Sequence, residues 1–278
     1  MIRKAEPIAL QYQPYGAVVA FSGGKDSIVL AQLVKESGIK YRLEYNLTTI
    51  DPPEVVRFIK QEHPECIINY PKKSFWQICE HALILPSQRI RFCCTFLKER
   101  TSPGTLTMTG VRHEESYRRK LRNEVEIFTR RRHPAYTRGT FDEFEQHRTT
   151  EQQCIRGKDK LIVNPILYWS ADDVWDFIRE RGLKYPETYS LGYDRVGCLF
   201  CPMANEKQII RQAKDYPKYY QAYLRMVQRI NDKRNANGKP NPWQGMTPEQ
   251  IFRWQASKKS LAEFKSDIEH AQLDFLVE

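Results

Sequence analysis

At 278 residues, with 41% hydrophobic and 28% charged side chains, the chain has the composition of an ordinary folded protein and not of a disordered or fibrous one. No apolar run is long enough to span a bilayer, and 1-MIRKAEPIALQY-12 lacks the apolar stretch of a secretory signal, which places the protein in the cytoplasm and off the membrane. Lys and Arg exceed Asp and Glu by ten, a balance that favours anionic partners without choosing among nucleotides, sulfonucleotides and nucleic acid.

The first predicted element is a short apolar strand over residues 17–22, bounded upstream by Pro14 and Gly16. Residues 26–37 read as a helix with Ile28, Val29, Leu30, Leu33 and Val34 on its apolar face and Gly38 as a left-handed stop. A second strand follows at 41–48, then a turn at Asp51-Pro52-Pro53, a helix from Glu54, and further strands around 66–70 and 105–110. Strand and helix alternating at this spacing imply a parallel sheet with crossover helices. Residues 117–160, rich in Arg, Glu, Thr and Gln, show no clean periodicity and read as a long excursion, part loop and part lid. Regular structure returns at 160–166 and at 170–182, where Ser170 can cap a helix, Asp173 sits at its third position and Gly182 ends it. Beyond Cys201 the chain is aromatic, basic and helical in pattern over 207–231 and 247–276.

The junction 22-SGGKDS-27 is the feature that demands a reason, because adjacent glycines cost backbone entropy and pack nothing. A strand that ends in small residues and opens a helix is an anion site: backbone N–H groups point outward and the helix dipole adds positive potential. Gly23 and Gly24 let a phosphate approach the backbone, Lys25 adds a mobile charge, Ser22 and Ser27 add hydroxyls, and Asp26 suits a metal ion riding on the phosphates. The spacing is neither the Walker pattern nor the dinucleotide fingerprint. It resembles the PP-loop signature of the ATP pyrophosphatase superfamily, whose members cleave ATP between the α and β phosphates, together with phosphoadenosine phosphosulfate (PAPS) reductase and its relatives.

Of the seven cysteines, Cys93 and Cys94 are adjacent and Cys198 and Cys201 form C-x-x-C. Two tight pairs far apart in sequence suit one tetrathiolate site closed by the fold. Zinc knuckles need a turn that Cys93-Cys94 leaves no room for, which favours a 4Fe–4S cluster over zinc. With 91-RFCCTFLKE-99, 108-MTGVRHEES-116, 164-NPILYWSADDVWDFI-178 and 197-GCLFCPMA-204 in order, the chain up to about residue 205 resembles the iron–sulfur branch of the PAPS and adenosine 5′-phosphosulfate (APS) reductase family. The resemblance implies a doubly wound, mostly parallel α/β sheet of the adenine nucleotide α-hydrolase kind over 1–205, with a helical extension over 206–278. It implies that Cys93, Cys94, Cys198 and Cys201 hold the cluster. It also implies that Ser22 to Ser27 cradle the phosphates of ATP with Mg²⁺, and that Gly110 and Arg112 face the anionic substrate, with Lys25, Asp26 and Arg112 in the chemistry.

One departure separates activities. Assimilatory sulfonucleotide reductases carry a nucleophilic cysteine in an E-C-G-x-H-like tail, and this sequence has no cysteine after Cys201. Cys154 is the nearest substitute, with Cys66 and Cys79 weaker candidates. The resemblance therefore implies first an ATP pyrophosphatase that adenylates an acceptor for sulfur transfer, as in DNA phosphorothioation, with DNA preferred to tRNA and a cysteine desulfurase as sulfur donor. Reduction of APS or PAPS to sulfite with thioredoxin is the second reading, and a non-catalytic, redox-sensing nucleic-acid binder the third. The runs 118-RRKLR-122 and 130-RRRH-133, interleaved with Tyr117, Phe128, Tyr136, Phe141 and Phe144, fit a nucleic-acid groove, a solvated surface or a clamp over a nucleotide. The segment 216-YPKYYQAYLR-225 adds weight to nucleic acid.

Overall fold

The structure is a computed structural model that describes residues 1–99, 101–128, 136–137, 159–238 and 240–277. By internal contacts the chain divides into two units: Met1–Leu47, Asp51–Pro71 and Leu97–Gly197 form one, and Thr48–Ile50, Lys72–Phe96 and Cys198–Glu278 the other. The single cut near residue 205 read from the sequence is thus replaced by interleaved segments, and all four paired cysteines fall in the second unit.

The first unit is built on a seven-stranded sheet of β1 (Ala17–Ala20), β2 (Tyr41–Asn46), β3 (Ile67–Asn69), β4 (Leu106–Met108), β5 (Val125–Phe128), β6 (Tyr136–Thr137) and β7 (Lys160–Val163), ordered β3-β2-β1-β4-β7-β5-β6. Strands β3, β2, β1, β4 and β7 run parallel, with Val19 opposite Leu43 and Met108, while β5 pairs antiparallel to β7 and to β6. The doubly wound, mostly parallel sheet is as the sequence implies. Strand order reverses at β1, which lies between β2 and β4, so a crevice opens beyond the carboxyl ends of β1 and β4.

Helix α1 (Ile2–Tyr12) buries Ala5, Ile8 and Ala9 in the core; it was not read from the sequence, because Pro7 inside it signals a helix break. Helix α2 (Lys25–Ser37) buries Ile28, Val29, Leu30, Ala31 and Val34 and leaves Lys35 and Glu36 exposed near its end. Its Ile28, Leu30, Ala31 and Val34 join the sheet core, while Val29 packs with Val174 and Ile178 of α7 (Ala171–Glu180). Helix α3 (Pro53–Glu62) adds Val55, Phe58 and Ile59 to the sheet core. The predicted cap of α7 is present: Ser170 Oγ accepts from the Asp173 N–H at 3.0 Å, and Asp173 accepts from the Ser170 N–H at 2.7 Å.

The excursion expected at 117–160 needs correction at its start. Residues 117–120 form a helical turn, α6 (Tyr117–Lys120), and β5 places Val125 and Ile127 in the sheet core. Glu126 on the other face of β5 is fully buried and takes a hydrogen bond from Arg122 Nε at 2.7 Å, an acidic residue that hides the strand from a hydropathy reading. Residues 130–133, Phe141, Phe144 and Cys154 lie outside the described residues.

In the second unit, α4 (Phe75–Ala82) starts on a Ser74–Gln77 capping box. It is followed by the single turn α5 (Phe92–Cys94), then α8 (Glu206–Asp215), α9 (Pro217–Ala236), α10 (Pro248–Ser257) and α11 (Leu261–Val277). Phe200, Tyr220, Tyr223 and Phe252 pack ring on ring with centroids 4.9–6.4 Å apart. Tyr216 and Tyr223 are buried, so these tyrosines of 216–225 serve the core and give no support to a nucleic-acid face there. No described helix is long and apolar enough to cross a membrane.

Candidate functional site

The chain leaves β1 through Phe21 and turns at Ser22–Gly24 into α2. Gly23 adopts φ +71°, and a Cβ there would lie 3.0–3.1 Å from Val55 and Ile59, so both backbone and space call for glycine. The serines hold the turn from within: Ser27 Oγ donates to the Gly24 carbonyl at 2.8 Å and accepts from the Ser22 N–H at 3.2 Å, and Ser22 Oγ accepts from the Gly24 N–H at 3.4 Å. The Gly23 and Asp26 N–H groups have no acceptor among the described residues. The turn therefore presents backbone donors at a helix N-terminus, with Lys25 Nζ 3.4 Å from Asp26 Oδ2.

The segment after β4 closes on this turn. A Cβ on Gly110 would stand 2.9 Å from the Asp26 carbonyl oxygen, so only glycine permits the approach. Two residues on, the buried Arg112 donates from Nε to Asp26 Oδ1 at 2.6 Å, and from Nη1 to Glu114 Oε2 at 2.9 Å and to the Trp169 carbonyl at 3.2 Å. Its Nη2 has no partner among the described residues. Arg112, read from sequence as a substrate contact, is thus also a strut that locks Asp26. Asp26→Ala should lower the unfolding free energy by about 3 kcal/mol, because it takes one partner from a buried ion pair. Urea unfolding checks this, and an unshifted midpoint contradicts it.

Two further arginines stand here, Arg119 and Arg195. Glu115 bridges Arg119 and Arg195, the latter at 3.8 Å. Burial, and then the guanidiniums of Arg195, Arg122 and Arg112, push Arg119 down to about 10, against the pull of Asp26. Positive charge is crowded at this end of the sheet, a field that an anion would relieve. Arg119 lies in the 118–122 run; nothing local marks Arg195. Tyr189 is also new: its hydroxyl accepts from the Lys25 N–H at 2.8 Å.

The four paired cysteines come together within the second unit. Cys93 is pushed well above the ordinary thiol range by a hydrogen bond with Cys94, by burial, and by the charges of Cys94, Cys198 and Cys201. Arg91 Nη2 donates to Cys94 Sγ at 3.2 Å, and Thr48 Oγ1 lies 3.3 Å from Cys198 Sγ. The Cys198–Cys201 turn is fixed by the Leu199 N–H on the Ile50 carbonyl and the Phe200 N–H on Gln212 Oε1, both at 2.8 Å. Phe200 takes a left-handed φ of +54° there, anchored by its buried ring.

Comparison with known proteins decides the family. The phosphoadenosine phosphosulfate reductase domain profile matches residues 16–204, spanning the glycine-rich turn, Arg112 and both cysteine pairs. The chain belongs to the PAPS reductase domain family. Similar proteins include an uncharacterized protein of Methanocaldococcus jannaschii, 22% identical over 257 residues, 87% of this chain and 46% of that one. An adenosine 5′-phosphosulfate reductase of Oceanobacillus iheyensis is 24% identical over 204 residues, 68% of this chain and 73% of that one. A solved PAPS reductase from Candida auris aligns with a TM-score of 0.45 at 16% identity, over 71% of this chain and 87% of that one. The chain spans about half the length of the first curated relatives it matches.

In this PAPS reductase family member the four paired cysteines lie near enough for their charges to act on one another, as the thiolates of one iron–sulfur cluster would. Among the described residues no three His, Cys, Asp or Glu side chains are gathered to hold one metal ion. Cys93, Cys94, Cys198 and Cys201 would be the ligands, and Arg91 and Thr48 would supply hydrogen bonds to sulfur of the kind that orient ligands and tune a centre. Magnesium fits Asp26 poorly, because both carboxylate oxygens are taken by cations. Cys66 and Cys79 are buried, and burial followed by Glu65 and Glu80, respectively, pushes each thiol up to about 12. Both should resist iodoacetamide at pH 8 in the folded protein and react on unfolding, as mass spectrometry would report. Rapid labelling of either in the native state contradicts this.

Proposed function

We propose that the site binds ATP through its phosphates and cleaves it between α and β to adenylate an acceptor for sulfur transfer. The carrying observation is the phosphate turn, where the Gly23 and Asp26 amides, Lys25 and the Nη2 of Arg112 are donors at one crevice beside a crowded set of guanidiniums. An acceptor oxygen attacks the α-phosphorus, the α–β bridging bond breaks, and pyrophosphate leaves into the turn amides and Lys25, which stabilise its growing charge. A sulfur nucleophile then displaces AMP, which leaves with the acceptor's oxygen; where that sulfur is the outer atom of a desulfurase persulfide, two electrons from a dithiol release it onto the acceptor. Magnesium would arrive on the phosphates of ATP and not on Asp26.

We take the acceptor to be nucleic acid, DNA before tRNA, and the sulfur source to be a cysteine desulfurase. The net positive charge and the exposed Tyr117 beside Arg118 and Lys120 support a polyanionic acceptor. The four cysteines would hold a 4Fe–4S cluster, which supplies redox or structural chemistry when bound. A second reading, reduction of APS or PAPS to sulfite, is favoured by the relatives named APS reductases. The two readings differ in the atom attacked: the α-phosphorus of ATP in the first, and in the second the sulfur of the sulfonucleotide, with the nucleoside phosphate as leaving group. Product analysis separates them: pyrophosphate and AMP from ATP for the first, thioredoxin-dependent sulfite from APS or PAPS for the second.

A further inference from the structure

The phosphate turn has a neighbour that no glycine-rich motif would reveal. Tyr189 lies in the loop 185–196, where its ring packs edge-on against Trp175 at 5.2 Å and Tyr185 at 6.0 Å. Its oxygen accepts from the Lys25 N–H at 2.8 Å and also from the Val196 N–H. Two backbone donors saturate the two lone pairs of a phenol oxygen, so only its O–H is left to act. That O–H has no acceptor among the described residues.

The surroundings of that hydroxyl are those of a ligand site. The bare face of Gly24 is bordered by two hydroxyls and an apolar atom: a Cβ built there would be 3.4 Å from both Ser22 Oγ and Tyr189 Oη and 3.6 Å from Val196 Cβ. A group seated over Gly24 therefore meets Tyr189 on one side and Ser22 on the other. Arg195, on the same loop, brings positive charge to the phenol, while Asp26 brings negative charge. Burial first, and then Asp26, raise the phenol above its ordinary range, so it stays protonated and able to donate.

We propose that Tyr189 is a phosphate-contacting residue of this site: held by the Lys25 and Val196 amides, its hydroxyl donates to a phosphate oxygen seated over Gly24. The inference rests on the reading of the turn as a nucleotide-phosphate site. It gives the loop before the C-x-x-C motif a direct part in nucleotide recognition, through Tyr189 for hydrogen bonding and Arg195 for charge. It also gives Gly24 a reason of its own, since any side chain there would fill the space between the two hydroxyls.

The test is calorimetric binding of ATP, pyrophosphate and adenosine to the full chain, comparing wild type, Tyr189→Phe and Lys25→Ala. The phenylalanine ring keeps the packing on Trp175 and removes only the oxygen. Tyr189→Phe should weaken ATP and pyrophosphate by roughly ten-fold or more, as expected for a hydrogen bond to a charged group, and leave adenosine unchanged. A purely structural role would weaken all three ligands alike and overturns the proposal. If wild type binds ATP and pyrophosphate and Lys25→Ala impairs both while Tyr189→Phe does not, the proposal fails and the reading of the turn stands. If wild type binds neither, both fail. Should Tyr189→Phe not fold, 3-fluorotyrosine at position 189 replaces it. As a stronger donor of nearly the same shape it should tighten pyrophosphate but not adenosine, and equal effects on the two overturn the proposal.

Discussion

Lys25→Ala should lower ATP cleavage by roughly 10²–10³-fold, the loss typical when one preorganised charge-stabilising group is removed. Lys25 opens α2, its side chain is 9% exposed, and its ammonium stands 3.4 Å from Asp26 Oδ2. An ammonium held this far from bulk water acts strongly on charge that develops at a leaving pyrophosphate. Alanine is the better helix former, so α2 should persist. Asp26 also keeps Arg112, at 2.6 Å, as its ion-pair partner. The defect should therefore appear in kcat/KM for ATP, with little change in urea midpoint or iron content. Turnover at the wild-type rate would remove Lys25 from the chemistry.

Cys198→Ser should strip most of the iron and the visible absorbance from anaerobically purified protein. A serine hydroxyl is rarely ionised at neutral pH and is a poor substitute for a thiolate. Cys198 sits at the start of a turn that the Ile50 carbonyl and Gln212 hold in place. Serine should keep that backbone while removing the sulfur beside Thr48 Oγ1. Loss of metal would then report the ligand and not a collapsed turn. Unchanged iron in a folded Cys198→Ser protein would sink the ligand assignment.

Local chemistry carried the sequence reading furthest where a few neighbouring residues decide the backbone. The strand before Ser22, the helix after Gly24, the left-handed stop at Gly38 (φ +75°) and the Ser170–Asp173 box are such cases. That Cys93-Cys94 would lie near Cys198 and Cys201 was legible too, from two tight thiol pairs far apart in sequence. Elements that depend on distant partners were not. Strand β5 is disguised by Glu126, whose burial is tolerated only through Arg122, and α1 by Pro7. Tyr189 meets Lys25 across 164 residues of chain, with no periodicity or motif to announce it. Arg112 was read as a substrate contact from its motif, but its ties to Asp26, Glu114 and Trp169 depend on three segments meeting beyond the sheet. The interleaved units likewise follow from where residues 48–50 and 72–96 pack, which spacing alone does not reveal.

The proposed sulfur transfer depends on cleavage of ATP between its α and β phosphates at the glycine-rich turn. The most direct test is release of AMP and pyrophosphate from ATP by anaerobically purified protein, with and without DNA. Pyrophosphate should be released and increased by DNA, AMP should follow in equal amount once a sulfur donor is added, and both should be lost in Lys25→Ala. No release from ATP, together with thioredoxin-dependent sulfite from APS or PAPS, would contradict this proposal and make the protein a sulfonucleotide reductase.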